Sequence, residues 1–183
     1  KNSHDTLMAF KSFLGPQQMA QHVYTDGSGE FRKALDMLEI SHDTSTPHKP
    51  QTNGVAERAV RRVKEGTSAT LVQSGLADVW WKEAMKCYCF LRNVVDVLPT
   101  GLTAYHTRFS KAFAGPLLPF GTSVRWNPQS RQDKSRVHQM GGKLLPGLFA
   151  GYEQQEGGGW TGNLLIIDEE ELEPVSYTHL RAH

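Results

Sequence analysis

The sequence predicts a mixed α/β fold followed by a small β-rich module. Three observations carry this. Over residues 79–95 the apolar residues Trp80, Ala84, Cys87, Tyr88, Leu91, Val94 and Val95 step by three and four, the period of a helix with one buried face. Earlier, short apolar runs stop at glycine turns, as in HVYTDGSGEF, which marks strands. After Pro99 the pattern changes: PFGTSVRWNP alternates, and LPGLFAGYEQQEGGGWTGNLLIID reads as two strands joined around residues 157–159.

Taken in order, residues 5–14 form a short helix with Leu7, Met8, Phe10, Phe13 and Leu14 as apolar contacts, stopped by Gly15-Pro16. Residues 23–25 make a strand that ends at Asp26, where Gly27 and Gly29 let the backbone turn. A helix over 31–38 comes next, then a second strand near 40–44 and a Pro-rich loop over 46–52. Asn53 is placed to cap a helix running from 54 towards 74. In the next helix, Trp80-Trp81 falls in with the apolar period, so core packing is expected rather than a platform for bases. Cys87 and Cys89 lie two apart, which on a helix sends them in separate directions; they are expected to be small buried residues, neither a zinc site nor a disulfide.

At 183 residues the chain can bury a core as one ordinary domain or two small ones. Apolar content of 38% and charged content of 21% exclude a disordered tail. No apolar run approaches the roughly 20 residues of a membrane span, and the polar start at Lys1 shows no signal peptide. The missing initiator Met points to a piece of something longer. A net charge of +1 gives no global case for nucleic acid, so local clusters must make it. One is Arg58, Arg61, Arg62 and Lys64. Another is Arg125, Arg131, Lys134, Arg136 and Lys143, opposed only by Asp133, while acids gather at 168–171 and 173.

Two carboxylates stand out. Asp26 sits where a strand stops, and Glu57 sits in a first helical turn among cations. Spacing alone allows a plain account, with Asp26 as a turn residue and Glu57 matching the helix dipole and pairing with Arg61 one turn on.

The wording around both acids is more specific. TDGSGEF and, further on, TPHKPQTNGVAERAVRRVK together resemble the integrase core of LTR retrotransposons of the copia type, with Pro47, Pro50, Gln51, Asn53, Gly54, Glu57 and Arg58 where that pattern has them. VWWKEAMKCYCFLRNVV, LTAYHTRFSK, FGTSVRW and LPGLFAGY resemble the family's later segments, including a Src-homology-3-like β module. The resemblance implies an RNase H-like fold and DNA strand transfer, with two divalent ions, Mg2+ or Mn2+, held by two Asp and one Glu. It makes Asp26 the second Asp and Glu57 the metal-binding Glu. Paired cations about 3.5–4 Å apart suit in-line displacement at phosphorus, and oxygen ligands suit magnesium.

On the same resemblance, Lys49, Gln51, Asn53 and Arg58 are expected to contact DNA. Arg61 and Lys64, on roughly the Glu57 face, neutralise phosphates, and Arg62 points elsewhere. The partners implied are element ends and target DNA, with a homo-oligomer in the parent complex, nuclear action, no membrane and no small-molecule substrate.

The pattern breaks in places. The family's first Asp and its first three strands precede anything in this chain, and Asp5 opens a helix rather than ending a strand, so it is no substitute. The fold expected is therefore an incomplete RNase H-like core over 1–98, then a helix and small β-barrel-like module over 99–174. Such a fragment should expose apolar helix faces and a sheet edge, favouring low solubility or dimerisation. Lacking the first Asp, it is expected to show little strand transfer alone. The family's N-terminal His/Cys zinc module is also missing. The link between Asp26 and Glu57 is shorter than usual, which a loop absorbs cheaply. VSYTHLRAH, residues 175–183, has no place in the pattern and resembles a translated sequencing adapter. A non-catalytic DNA-binding module derived from an integrase is the alternative reading.

Overall fold

The computed structural model describes residues 2–16, 18–25, 27–44, 54–138, 140–172 and 181–182. They divide into two compact units, Lys1–Arg62 with Gln154–Trp160, and Val63–Glu153 with Thr161–His183.

The first unit begins with α1 (Ser3–Leu14), two residues earlier than the apolar pattern implied. Asn2 explains the earlier start, because its side chain accepts from the Asp5 N–H at 2.8 Å and caps the helix. Gly15 ends α1 at φ 68, a left-handed conformation that glycine adopts freely. A side chain there would also sit 2.8 Å from the Gly157 Cα, in the turn whose N–H donates to the Ser12 carbonyl at 2.8 Å.

The strand β1 (His22–Thr25) pairs in parallel with β2 (Ser41–Thr44), and α2 (Gly29–Met37) connects them. Ala34, Leu35 and Ile40 are the buried residues here, and Phe10 meets Phe31 edge to face at 6.1 Å. The five apolar residues expected to anchor α1 are not buried. Phe13 is 65% exposed and Met8 49%, since a two-stranded sheet offers little to cover them.

The helix α3 (Gly54–Ser74) has the predicted span; its expected cap, Asn53, lies outside the described residues.

In the second unit, a 3₁₀ turn (Asp78–Trp80) leads into α4 (Trp81–Val95). Gly66 of α3 lies under the Tyr88 ring, where any Cβ would overlap it. The buried stripe of α4 is Ala84, Cys87 and Phe90, with Val95 left 51% exposed, so the face is turned towards Phe90 relative to the sequence expectation. The cause is an aromatic cluster: Phe90 packs on Tyr105, Phe113 and Tyr152, stacking on the last at 4.4 Å. Trp81 is a second correction. It is 48% exposed, with Lys82 Nζ 5.8 Å from its ring, and does not pack into the core. Cys87 is buried as expected and burial raises its pKa to about 12, while Cys89 is only half-buried.

A short helix, α5 (Ala104–Phe109), is capped by Thr103. The β-rich part comes next: β3 (Ser123–Trp126), α6 (Arg131–Ser135), β4 (Leu145–Gln154), β5 (Trp160–Asp168) and β6 (Arg181–Ala182), with sheet order β3-β4-β5-β6. Trp126, Leu145 and Ile166 form its core with Val124 and Val137 against them. Arg181 and Ala182 pair with Ile166 and Leu165. An open sheet edge accepts main chain of any sequence, so the pairing is compatible with an adapter-derived tail.

Candidate active site

Glu57 occupies the first turn of α3 and is exposed. At 100° per residue, Val55, Ala56, Ala59, Val60 and Val63 fall on one arc of α3, while Glu57, Arg58, Arg61, Arg62, Lys64 and Glu65 fall on the other. Within the polar arc, Lys64, Glu57 and Arg61 are neighbours, and Arg58 and Arg62 are turned away from them. The (i, i+4) pair of Glu57 with Arg61, which would have made the acid merely structural, does not form. Among the described residues the Glu57 side chain has no ion pair or hydrogen bond, and neither have those of Arg61 and Lys64. Arg58 curls back, with its Nη1 lying 3.5 Å from where a Cβ on Gly54 would stand.

An unpaired carboxylate at a helix N-terminus is a hard oxygen donor in the positive end of the helix dipole, here flanked by cations. That donor chemistry fits a divalent cation. Among the described residues no three His, Cys, Asp or Glu side chains come together as a metal-holding group. Asp26, Lys49, Gln51 and Asn53, the other predicted site residues, lie outside the described residues.

The strand leading to Asp26 is described. Thr25 ends β1, and its Oγ1 is 2.7 Å from His42 Nε2 on β2, both groups being half-buried. His42 was not singled out by the sequence, since its strand, Ser41–Thr44, is polar throughout and carries no periodic signal.

The second basic cluster is different from the expectation. Arg136 is not available to a phosphate: Nη1 and Nη2 donate to the two oxygens of Asp168 at 2.5 and 3.0 Å. Nη2 also meets Glu170 at 2.9 Å, and Asp133 lies 3.7 Å from Nη1. Asp168 first, and then Glu170, push the guanidinium pKa up. Asp168 and Asp133 are each 2% exposed, whereas the Glu170 side chain is 67% exposed. Arg125, Arg131, Lys134 and Lys143 remain exposed.

No family model matches the sequence. Curated proteins do. The chain is 33% identical over 147 residues to the retrovirus-related Pol polyprotein from transposon RE2 of Arabidopsis thaliana, and 31% identical over 147 to that from transposon RE1 of the same plant. It is 27% identical over 133 residues to the Pol polyprotein from transposon TNT 1-94 of Nicotiana tabacum. Each match takes in 72% of this chain, which spans about a tenth of the relative's length, 10% in each case.

Among solved structures, a chain of the simian T-cell lymphotropic virus intasome aligns over 100% of this chain and 62% of its own, at 18% identity and TM-score 0.47. The HTLV-2 integrase catalytic core in complex with magnesium (trimeric form) aligns over 57% of this chain and 68% of its own, at 24% and 0.43. Likenesses this loose support no functional step. The sequence matches and the motifs agree: the chain is a homologue of a segment of the retrovirus-related Pol polyproteins of copia-type retrotransposons.

Proposed function

We propose that the chain is part of a metal-dependent DNA integrase, a polynucleotidyl transferase that processes 3′ ends and joins them to target DNA. The observation that carries this is the Glu57 carboxylate at the head of α3, unpaired among the described residues, within the loop-and-helix motif and beside the equally unpaired Arg61 and Lys64. Glu57 and, by its place in the motif, Asp26 are this chain's two of the three carboxylates that would hold two magnesium or manganese ions. When bound, such ions activate the attacking oxygen and stabilise the leaving one. The chain's own part is to present carboxylate oxygens, and to draw backbone phosphate to the α3 face through Arg61 and Lys64. Lys49, Gln51, Asn53 and Arg58 are assigned to the DNA end on the motif alone. The parent complex would be a homo-oligomer acting on nuclear DNA.

In a longer parent protein that carries the upstream segment, strand transfer with magnesium should fall to background in Glu57→Gln and in Asp26→Asn, while DNA binding persists. Activity that survives Glu57→Gln overturns the assignment. Salt-sensitive DNA binding with no activity in the unaltered parent would instead mark a non-catalytic module.

A further inference from the structure

We infer that the solvent face of α4 is a binding surface for single-stranded DNA, with Trp81 as the ring on which an unpaired base stacks and Lys82 and Lys86 as contacts to its backbone. At 100° per residue, Trp81, Lys82, Lys86, Arg92 and Asn93 fall within about 140° of the helix circumference, away from the buried Ala84, Cys87 and Phe90. Glu83, the only acid between Trp81 and Val95, falls outside that arc. Trp81 is 48% exposed, and Lys82 Nζ stands 5.8 Å from its ring centroid. Lys86 follows Lys82 by one turn, and both are exposed with no acidic partner among the described residues. Arg92 differs: its Nε donates to Asp96 at 2.7 Å, so its charge is matched within the chain.

An aromatic ring left in water beside unmatched ammonium groups combines the two elements that hold single strands, a stacking platform and cations for the backbone. Duplex DNA would satisfy only the lysines, because its base faces are covered by one another. An unpaired base has a π-face to offer. A second copy of the chain is the poorer occupant, since a two-fold contact through this face would set Lys82 and Lys86 against the same lysines. DNA rather than RNA is assigned on the integrase reading, because trimming a 3′ end leaves unpaired nucleotides on the complementary strand.

The test is fluorescence anisotropy of a short fluorescein-labelled oligothymidylate titrated with the full chain, with oligouridylate and a blunt DNA duplex in parallel. Circular dichroism checks that each variant is folded. Trp81→Ala should weaken oligothymidylate binding by about five- to tenfold, the lower end of the range for one stacked base, and leave the blunt duplex unaffected. Oligothymidylate should quench part of the tryptophan emission. Trp81→Phe, which keeps a ring, should retain most of the affinity and lose that part of the quenching. Lys82→Ala and Lys86→Ala should each lower the slope of log affinity against log salt by about 0.7, and Lys33→Ala on exposed α2 should not. Oligouridylate should bind no more tightly than oligothymidylate; if it does, the assignment to DNA falls. Equal losses for single strand and duplex in Trp81→Ala, or no loss for either, overturn the stacking role. Self-association that Trp81→Ala abolishes, without quenching by oligothymidylate, gives the face to a second copy instead. Strand transfer in the longer parent is a separate readout. If it is lost in Glu57→Gln while oligothymidylate binding is indifferent to Trp81, the α4 surface falls and the integrase reading stands; Trp81-dependent binding in an inactive parent keeps the surface and overturns that reading.

Discussion

Two basic stretches look alike in sequence and differ in the folded chain. On α3, Arg61 and Lys64 have no acidic partner among the described residues, although Glu57 and Glu65 lie on the same polar arc. Between 125 and 143, the central Arg136 is held by Asp168, Glu170 and Asp133. In the first stretch the Arg61 and Lys64 charges have no protein counter-ion among the described residues. The second uses its best-placed cation to fasten α6 to the end of β5. Counting cations along a sequence therefore overstates the second surface, because pairings made in three dimensions decide which charges are available.

The sharpest way to break this comparison is Arg136→Met, which keeps much of the volume and removes the charge. Asp168, 2% exposed, would lose its bidentate guanidinium partner, while the Glu170 N–H at 3.2 Å still donates to it. Breaking a buried pair from one side costs about 3–5 kcal/mol, and the lower end applies here because Arg136 keeps 22% side-chain exposure. Denaturant unfolding should show destabilisation by about 3 kcal/mol, with α3-dependent DNA binding intact in the folded fraction. Destabilisation below about 0.5 kcal/mol, the range of surface substitutions, would mean that the clasp is ornamental.

A smaller effect should appear in alkali. Burial lifts the Cys87 thiol to about 12, whereas the unfolded chain ionises it near the usual 9.0. The raised value means the stabilising neutral form is fully favoured below about 9 and its advantage is lost as pH rises through the folded value. The melting temperature should fall as pH climbs from 9 towards 12, and Cys87→Ala should flatten that slope. An unchanged slope in Cys87→Ala would assign the alkaline destabilisation to other groups. The same burial should keep Cys87 inert to thiol reagents at neutral pH.

Much of the element order was legible from periodicity and turn chemistry. The α3 span, the two strands flanking α2 and the β4–β5 hairpin all arise from local signals. What stayed hidden depends on partners distant in sequence. Phe90 is buried because Tyr105, Phe113 and Tyr152 meet it, and no pattern within α4 shows that. Arg136 and Asp168 are 32 residues apart, so their pairing could not be seen in either charge cluster. His42 acquires meaning only through the parallel register that brings it to Thr25. For the site, the motif points to Glu57, and the structure adds that its carboxylate is unpaired among the described residues.

The gentlest alteration tests the other half of the comparison. Arg61→Ala and Lys64→Ala remove side chains that pair with no acid among the described residues, so each should change stability by less than about 0.5 kcal/mol. Their effect belongs in DNA binding. Each cation removed from a phosphate should reduce the slope of log affinity against log salt by about 0.9, whatever the DNA sequence. Lys134→Ala, on exposed α6, is the internal comparison. If it lowers the slope as much as Lys64→Ala, the β-rich part shares the phosphate binding and α3 has no special claim to it. If only the α3 variants lower it, unpaired charge on the Glu57 face is what guides the DNA backbone to the carboxylate.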